Sequence, residues 1–149
     1  MATTTFEARY ADYAARVHES LASQPFISRV LGARATRVEP GAVDIELLMQ
    51  DDFRQPQGHA HGILLSALAD SAAGYAAQTL LAAEFDVVTV EYKINYLAPA
   101  FGESLLARGW VIRAGRTLQV CAADLYACAG ASQTHVAHMA ATMMAVAAH

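Results

Sequence analysis

Asp70 stands alone among Ala, Leu and Gly in the run HAHGILLSALADSAAGYAAQ, His59–Gln78. Apolar surroundings strip water from a carboxylate, which disfavours the charged form and raises its pKa. An aspartate so placed is suited to taking a proton as a general base. The competing reading is a carboxylate that anchors a structural hydrogen-bond network. Gly62 opens the same run, at the point where a helix presents unpaired backbone N–H groups and the positive end of its dipole. With no side chain, it lets another molecule approach that backbone closely. His59 and His61 are two residues apart, but a third ligand at a suitable spacing is missing, so no metal is expected.

The elements that must hold these groups follow from period and punctuation. Residues 5–22 place Phe6, Tyr10, Tyr13, Val17 and Leu21 at helical spacing, with Thr4 or Thr5 as cap candidates. Phe26 to Leu31 reads as a helical turn after Pro25. Ala33–Glu39 and Ala42–Met49 alternate around Pro40-Gly41, a β-hairpin. QDDFRQPQGHAH, residues 50–61, is a polar loop. From Gly62 the chain is apolar on every side, so this helix must be wrapped by other structure. Beyond Phe85 the period becomes two. Val88, Val90, Tyr92, Ile94 and Tyr96 fall on one face, and Thr89, Glu91, Lys93 and Asn95 on the other. Ser104–Arg113, Thr117–Ala127 and Thr134–Val146 complete four consecutive strands, which predicts an antiparallel meander. His135 and His138 then fall on opposite faces. The order of elements defines one α+β domain over residues 1–149, a curved antiparallel sheet folded around one long central helix, with an N-terminal helix in front.

Composition excludes several function classes. The 149 residues are 55% hydrophobic and 16% charged, with a formal net charge of −4. That balance, with the ten basic residues scattered, argues against nucleic acid. The high apolar fraction points to self-association. Gly62 to Ala83 is long enough to suggest a membrane span, but it contains Asp70 and Gln78 and lacks flanking positive charge. Cys121 and Cys128 form neither a disulfide framework nor a zinc pattern, and MATTTFEARY has no signal-peptide character. A reducing cytoplasm is the expected location.

The stretch QPQGHAHGILLSALADSAAGYAA, followed by TVEYKINYLAPA, resembles the hotdog-fold acyl-CoA thioesterases of the PaaI-like group. The resemblance extends from about Phe53 to Val146. The family pattern is Asn-x-x-Gly-x-x-His-Gly-Gly and then a helix containing Leu-Ala-Asp. Here it is matched by Gln55, Gly58, His61, Gly62, Ile63 and Leu68-Ala69-Asp70. Gln55 departs from Asn but keeps the amide, with a longer reach. Ile63 departs from the second Gly and narrows the expected acyl pocket.

This resemblance implies hydrolysis of an acyl-CoA to free acid and CoA, without metal or organic cofactor. It makes Asp70 the nucleophile or the base that activates water, and the Gly62 N–H the group that polarises the thioester carbonyl. Gln55 and His61 would orient the thioester or water. Thr89 matches a strand position whose hydroxyl touches the water near the acid. Ser66, four residues before Asp70, bonds either the carboxylate or a helix carbonyl, whereas Ser71 points elsewhere. Arg113 and Arg116, flanking Gly115, are candidates for the CoA phosphates. Trp110, Met139, Met143 and Met144 are read as core or acyl-pocket lining.

Eight residues separate Gly62 from Asp70, about 12 Å along a helix at ~1.5 Å per residue. A reacting carbonyl needs both within roughly 3 Å. If both act in one reaction they come from different chains, which predicts a homodimer with two sites across its interface. The family resemblance adds a homotetramer, a dimer of dimers. Two other functions fit less well. A hotdog enoyl-CoA hydratase pairs its Asp with a His five residues on, where this chain has Tyr75. A non-catalytic acyl-CoA binder follows if Gln55 or Ile63 spoils the geometry.

Overall fold

The computed structural model describes residues 5–149. Six strands form one antiparallel sheet: β1 (Arg34–Glu39), β2 (Ala42–Leu48), β3 (Phe85–Tyr96), β4 (Ser104–Ala114), β5 (Leu118–Ala129) and β6 (Ser132–Ala147). Two helices accompany it, α1 (Tyr13–Ser23) and α2 (Gly62–Gln78).

The β1–β2 hairpin turns at Gly41, whose φ of 78° suits glycine. In β2 the alternation Val43, Ile45, Leu47 puts three fully buried side chains on one face. α2 is the wrapped helix. Leu64, Leu65, Leu68, Ala69, Ala72, Ala73 and Ala76 are all buried. It approaches the sheet closely at Gly109 of β4, where a Cβ would lie 2.3 Å from the Ala72 carbonyl oxygen. Among the described residues no helix is long and apolar enough to cross a membrane. α2 ends at Gln78, where Thr79 caps it by donating its hydroxyl to the Ala76 carbonyl at 2.6 Å.

Strand order differs from the expected four-strand meander. It is β1-β2-β4-β5-β6-β3, so only β4, β5 and β6 are consecutive neighbours. β2 occupies the side of β4 that β3 would have taken. β3 pairs with β6 at the far edge of the sheet.

The N-terminal helix is shorter than its periodicity suggests. It begins at Tyr13 rather than near residue 5, after Asp12, with Val17 and Leu21 as its buried contacts. Thr5 lies ahead of the helix and caps nothing, and Thr4 falls outside the described residues. Phe6 instead packs beside Gly41 of the hairpin turn. Pro25–Val30 is a wide helical turn, closed by the Leu31 N–H donating to the Phe26 carbonyl at 2.9 Å.

Three bulges, at Val90, Ile112 and Val136, break the simple alternation of the late strands, and two of them move residues singled out in the sequence. Thr89 pairs with Met143 and Glu91 with Thr142, so Val90 is an extra residue. Its insertion changes which parity faces α2. Thr89 lies opposite buried Met143, and Tyr92, Ile94 and Tyr96 lie opposite buried Ala141, Met139 and Ala137. The expected common face of Val88, Val90, Tyr92, Ile94 and Tyr96 is therefore broken. Val136 is the extra residue between β6 and β5. It brings His135 and His138, expected on opposite faces, to the same outer face. There both rings reach Asp124 Oδ1, at 3.0 and 2.7 Å. Trp110 and Met144 also stand on that outer face, only half-buried, while Met139 and Met143 are in the core.

Candidate active site

Asp70 and Thr89 line one groove, and Gln55, His61, Gly62 and Ile63 another, on either side of Ser66. The first, about 470 Å³, is lined by Asp70, Thr89, Ser71, Gly74, Tyr75 and Gln78, with further walls from α1 and the Phe26–Ile27 turn. The second, about 550 Å³, is lined by Gln55, His59, His61, Gly62, Ile63 and Tyr96, among others.

In the first groove, Thr89 Oγ1 donates to Asp70 Oδ1 at 2.7 Å. Burial pushes the Asp70 carboxyl above the usual aspartate range, and the Thr89 hydroxyl partly opposes that rise. The acid is thus poised toward base behaviour and held in one orientation. Ser66 is not its partner. The Ser66 hydroxyl instead donates back to the Gly62 carbonyl at 3.3 Å and shares a 2.7 Å bond with the Tyr96 hydroxyl. Ser71, expected to point away, lines the same groove as Asp70. Ala67, Asp70, Ser71, Gly74, Tyr75 and Gln78 recur at three- and four-residue steps, a single stripe along α2.

The second groove is built around the start of α2. His61 is its N-cap residue, and its Nδ1 accepts from the Ile63 N–H at 3.4 Å. The His59 ring turns elsewhere: its Nδ1 lies 3.1 Å from the Ala60 carbonyl, and the ring packs edge-on to Phe101. The two imidazoles of the HAH triplet are thus engaged with different partners. The loop before the helix is fastened by Arg54, whose guanidinium donates to the Gly58 and Gly102 carbonyls at 3.1 and 2.9 Å. Its ends are held by Ala60 N–H to the Ala100 carbonyl and His61 N–H to the Phe53 carbonyl. Gln55 lies half-buried in this loop and lines the groove; Ile63 is exposed at its rim.

Tyr96 was not singled out from the sequence, because simple alternation separates it from Thr89. The Val90 bulge turns both toward α2. Its hydroxyl oxygen lies 3.1 Å from the Gly62 carbonyl oxygen, and a Cβ on Gly62 would lie 3.3 Å from its ring. Arg113 and Arg116 line neither groove. They flank the β4–β5 turn, where Thr117 and Leu118 pair with the last residues of β6. That hairpin sits toward the C-terminal end of α2, where Gln119 reaches the Ala77 carbonyl.

A six-stranded antiparallel sheet around a buried helix, with a shorter helix in front, defines the hotdog fold of thioester hydrolases. Residues 57–132, half of the chain, match the thioesterase superfamily model. A thioesterase family protein from Silicibacter pomeroyi is 40% identical, with a TM-score of 0.88 over 91% of this chain and 99% of that one. The Escherichia coli PaaI protein, from the phenylacetic acid degradation operon, shares the fold at 19% identity. Its TM-score is 0.79, over 91% of this chain and 95% of that one. A protein of Saccharolobus solfataricus that carries an esterase name is 32% identical over 94 residues. That match takes in 63% of this chain and 66% of the relative, just under two thirds of its length. The chain belongs to the thioesterase superfamily.

Proposed function

We propose that the chain hydrolyses acyl-CoA thioesters to a free acid and CoA thiol, with Asp70 as general base and the Gly62 N–H as carbonyl donor. Asp70 takes a proton from water, the water oxygen attacks the thioester carbon, and charge develops on the carbonyl oxygen. A backbone N–H at a helix start stabilises that oxyanion. Collapse expels the CoA thiolate, which takes up a proton. Thr89 holds the carboxylate, His61 caps the helix that presents the donor, and Gln55 supplies an amide toward the bound thioester. Ile63 limits the groove rim.

The observation that carries this reading is the placement of Asp70 and Gly62 in separate grooves of one chain. Each groove holds half of what the reaction needs. A second copy, turned about a twofold axis, supplies the missing half. The sheet favours such pairing, because β3 is an edge strand with Val88, Val90 and Tyr92 exposed. An uncovered edge is a ready template for another strand.

The test is thiol release from a panel of acyl-CoAs, read with Ellman's reagent. Wild type releases thiol, and Asp70→Asn loses about 100-fold or more in kcat while staying folded. Hydrolysis by Asp70→Asn at the wild-type rate removes Asp70 from the mechanism.

A further inference from the structure

Gly74 lies inside α2, four residues before its end at Gln78, where glycine is the poorest helix former short of proline. No positive φ calls for it, and no close approach does either: a Cβ there would meet nothing within 4 Å. Gly109 is different, since a Cβ at that position would run into the α2 backbone. The space that Gly74 leaves open is the groove of Asp70. We propose that this groove is the acyl pocket, that Gly74 sets its bore, and that it selects acyl groups ending in a hydrogen-bonding group. The inference rests on the thioesterase reading above and extends it to the substrate.

The lining changes character along its length. Next to Asp70 and Thr89 lie Ala67, Gly74, Val87 and Ile27, which suit an apolar stem. Farther along α2 come Tyr75, Gln78 and Asp86, with Ser20 above them from α1. Their mutual bonds are incomplete. The Tyr75 hydroxyl reaches only Ser20 Oγ, at 3.4 Å. Gln78 is 2% exposed; its amide nitrogen donates to Asp86 Oδ1 at 2.9 Å, but its Oε1 has no partner. A methyl terminus arriving here takes water from the Tyr75 and Ser20 hydroxyls and leaves Gln78 Oε1 still without a partner. A terminal hydroxyl can accept from Tyr75 and donate to Gln78 Oε1.

Tyr75 lies five residues from Asp70 and Gln78 eight, about 7 to 12 Å along the axis, so the acyl group is of limited length. Ser20, Gln24, Phe26 and Ile27 close the groove from a part of the chain that precedes the residues matching the superfamily model.

The experiment compares full-length wild type, Gly74→Ala, Gly74→Leu and Tyr75→Phe on acetyl-CoA and on longer acyl-CoAs, plain or ω-hydroxylated. A Cβ at Gly74 meets open space, Gly74→Leu extends a longer side chain from it into the groove, and melting curves check that both Gly74 variants fold. The loss of Gly74→Leu in kcat/KM is about tenfold or more greater on the longer acyl groups than on acetyl-CoA. Gly74→Ala changes chain-length preference least. Wild type prefers the hydroxylated acyl group over its plain counterpart by about fivefold, the scale of one neutral hydrogen bond, and Tyr75→Phe abolishes that preference. Equal loss on acetyl and longer groups, or no loss on either, overturns the pocket. No preference for the hydroxylated chain overturns the polar terminus. Calorimetric binding of the same acyl-CoAs to Asp70→Asn and to Asp70→Asn/Gly74→Leu separates this inference from the activity. If wild type releases no thiol, the hydrolase reading fails. The binding series still decides the groove, through selective or unselective weakening of the longer acyl groups.

Discussion

The Thr89 hydroxyl and the Asp70 carboxylate, from an edge strand and a buried helix, meet at 2.7 Å. Burial makes the acid basic, and the hydroxyl limits how far that goes. The pair sets both the direction in which the carboxylate points and the pH at which it is ready.

Removing the hydroxyl therefore moves the pH profile. In Thr89→Val the carboxylate loses a donor that favours its charged form, so its pKa climbs further. The ascending limb of kcat/KM against pH shifts upward, and the plateau falls by roughly tenfold. Thr89→Ser retains the donor and keeps the profile in place. Identical profiles for Val and wild type would show that the bond does not tune the acid.

Stability at different pH reads the same carboxylate without any substrate. The folded state raises the Asp70 pKa. Its neutral form is thus favoured by folding, and that benefit is complete below the unfolded-state pKa and lost as pH rises through the folded-state one. Asp70→Asn, always neutral, should unfold at the wild-type temperature in acid and at a higher temperature near neutrality. Melting curves from about pH 3 to about pH 8 check this. A difference that does not change with pH would mean that burial leaves Asp70 unperturbed.

Sharing of the site between chains is open to complementation. Gly62→Pro deletes the proposed donor while keeping a residue suited to the first helical turn. His61, which precedes it, already has φ −66° and ψ 136°, a conformation compatible with a following proline. Gly62→Pro and Asp70→Asn should each be folded and inactive alone, and regain activity when unfolded and refolded together. Absence of recovery despite mixed dimers, detected by native mass spectrometry, would place both groups of each site in one chain.

Gly109→Ala tests how tightly the helix is seated. The added methyl meets the Ala72 backbone at 2.3 Å, and backbone cannot yield as a flexible side chain does. Overpacking of this kind costs about 1–3 kcal/mol. Denaturant unfolding should show a lower midpoint, while Gly74→Ala, which meets open space, should show a higher one. Equal midpoints for the two variants would contradict the difference in contact.

Much of this architecture is readable from local pattern. The apolar run from Gly62 predicts a wrapped helix because no face of it is fit for water. The Pro40-Gly41 hairpin follows from turn chemistry. Thr89 as the acid's neighbour comes from the family resemblance, and the hydrogen bond now gives it a physical basis. What escapes the pattern is what depends on pairing across the sheet. One extra residue at Val90 or Val136 is invisible to a period-two count, yet it decides the faces of Tyr96 and His135. The seat of β3 beside β6 depends on which strand takes the other side of β4, and no local signal carries that. Gly74 was passed over because one glycine in an alanine-rich helix looks like composition. Its meaning emerges only against the empty volume beside it.

The mismatch at Val90 also has a bearing on how this domain can vary. Between Thr89 and Tyr96 one ribbon is a residue longer than its partner, and both side chains serve the central helix at once, one at the acid and one at the amide end. Loss of Val90 itself would leave a regular ladder with both side chains still turned inward, whereas loss of another residue with the bulge kept would turn Tyr96 outward. Length in this interval is thus tied to the bulge, and the two can change only together.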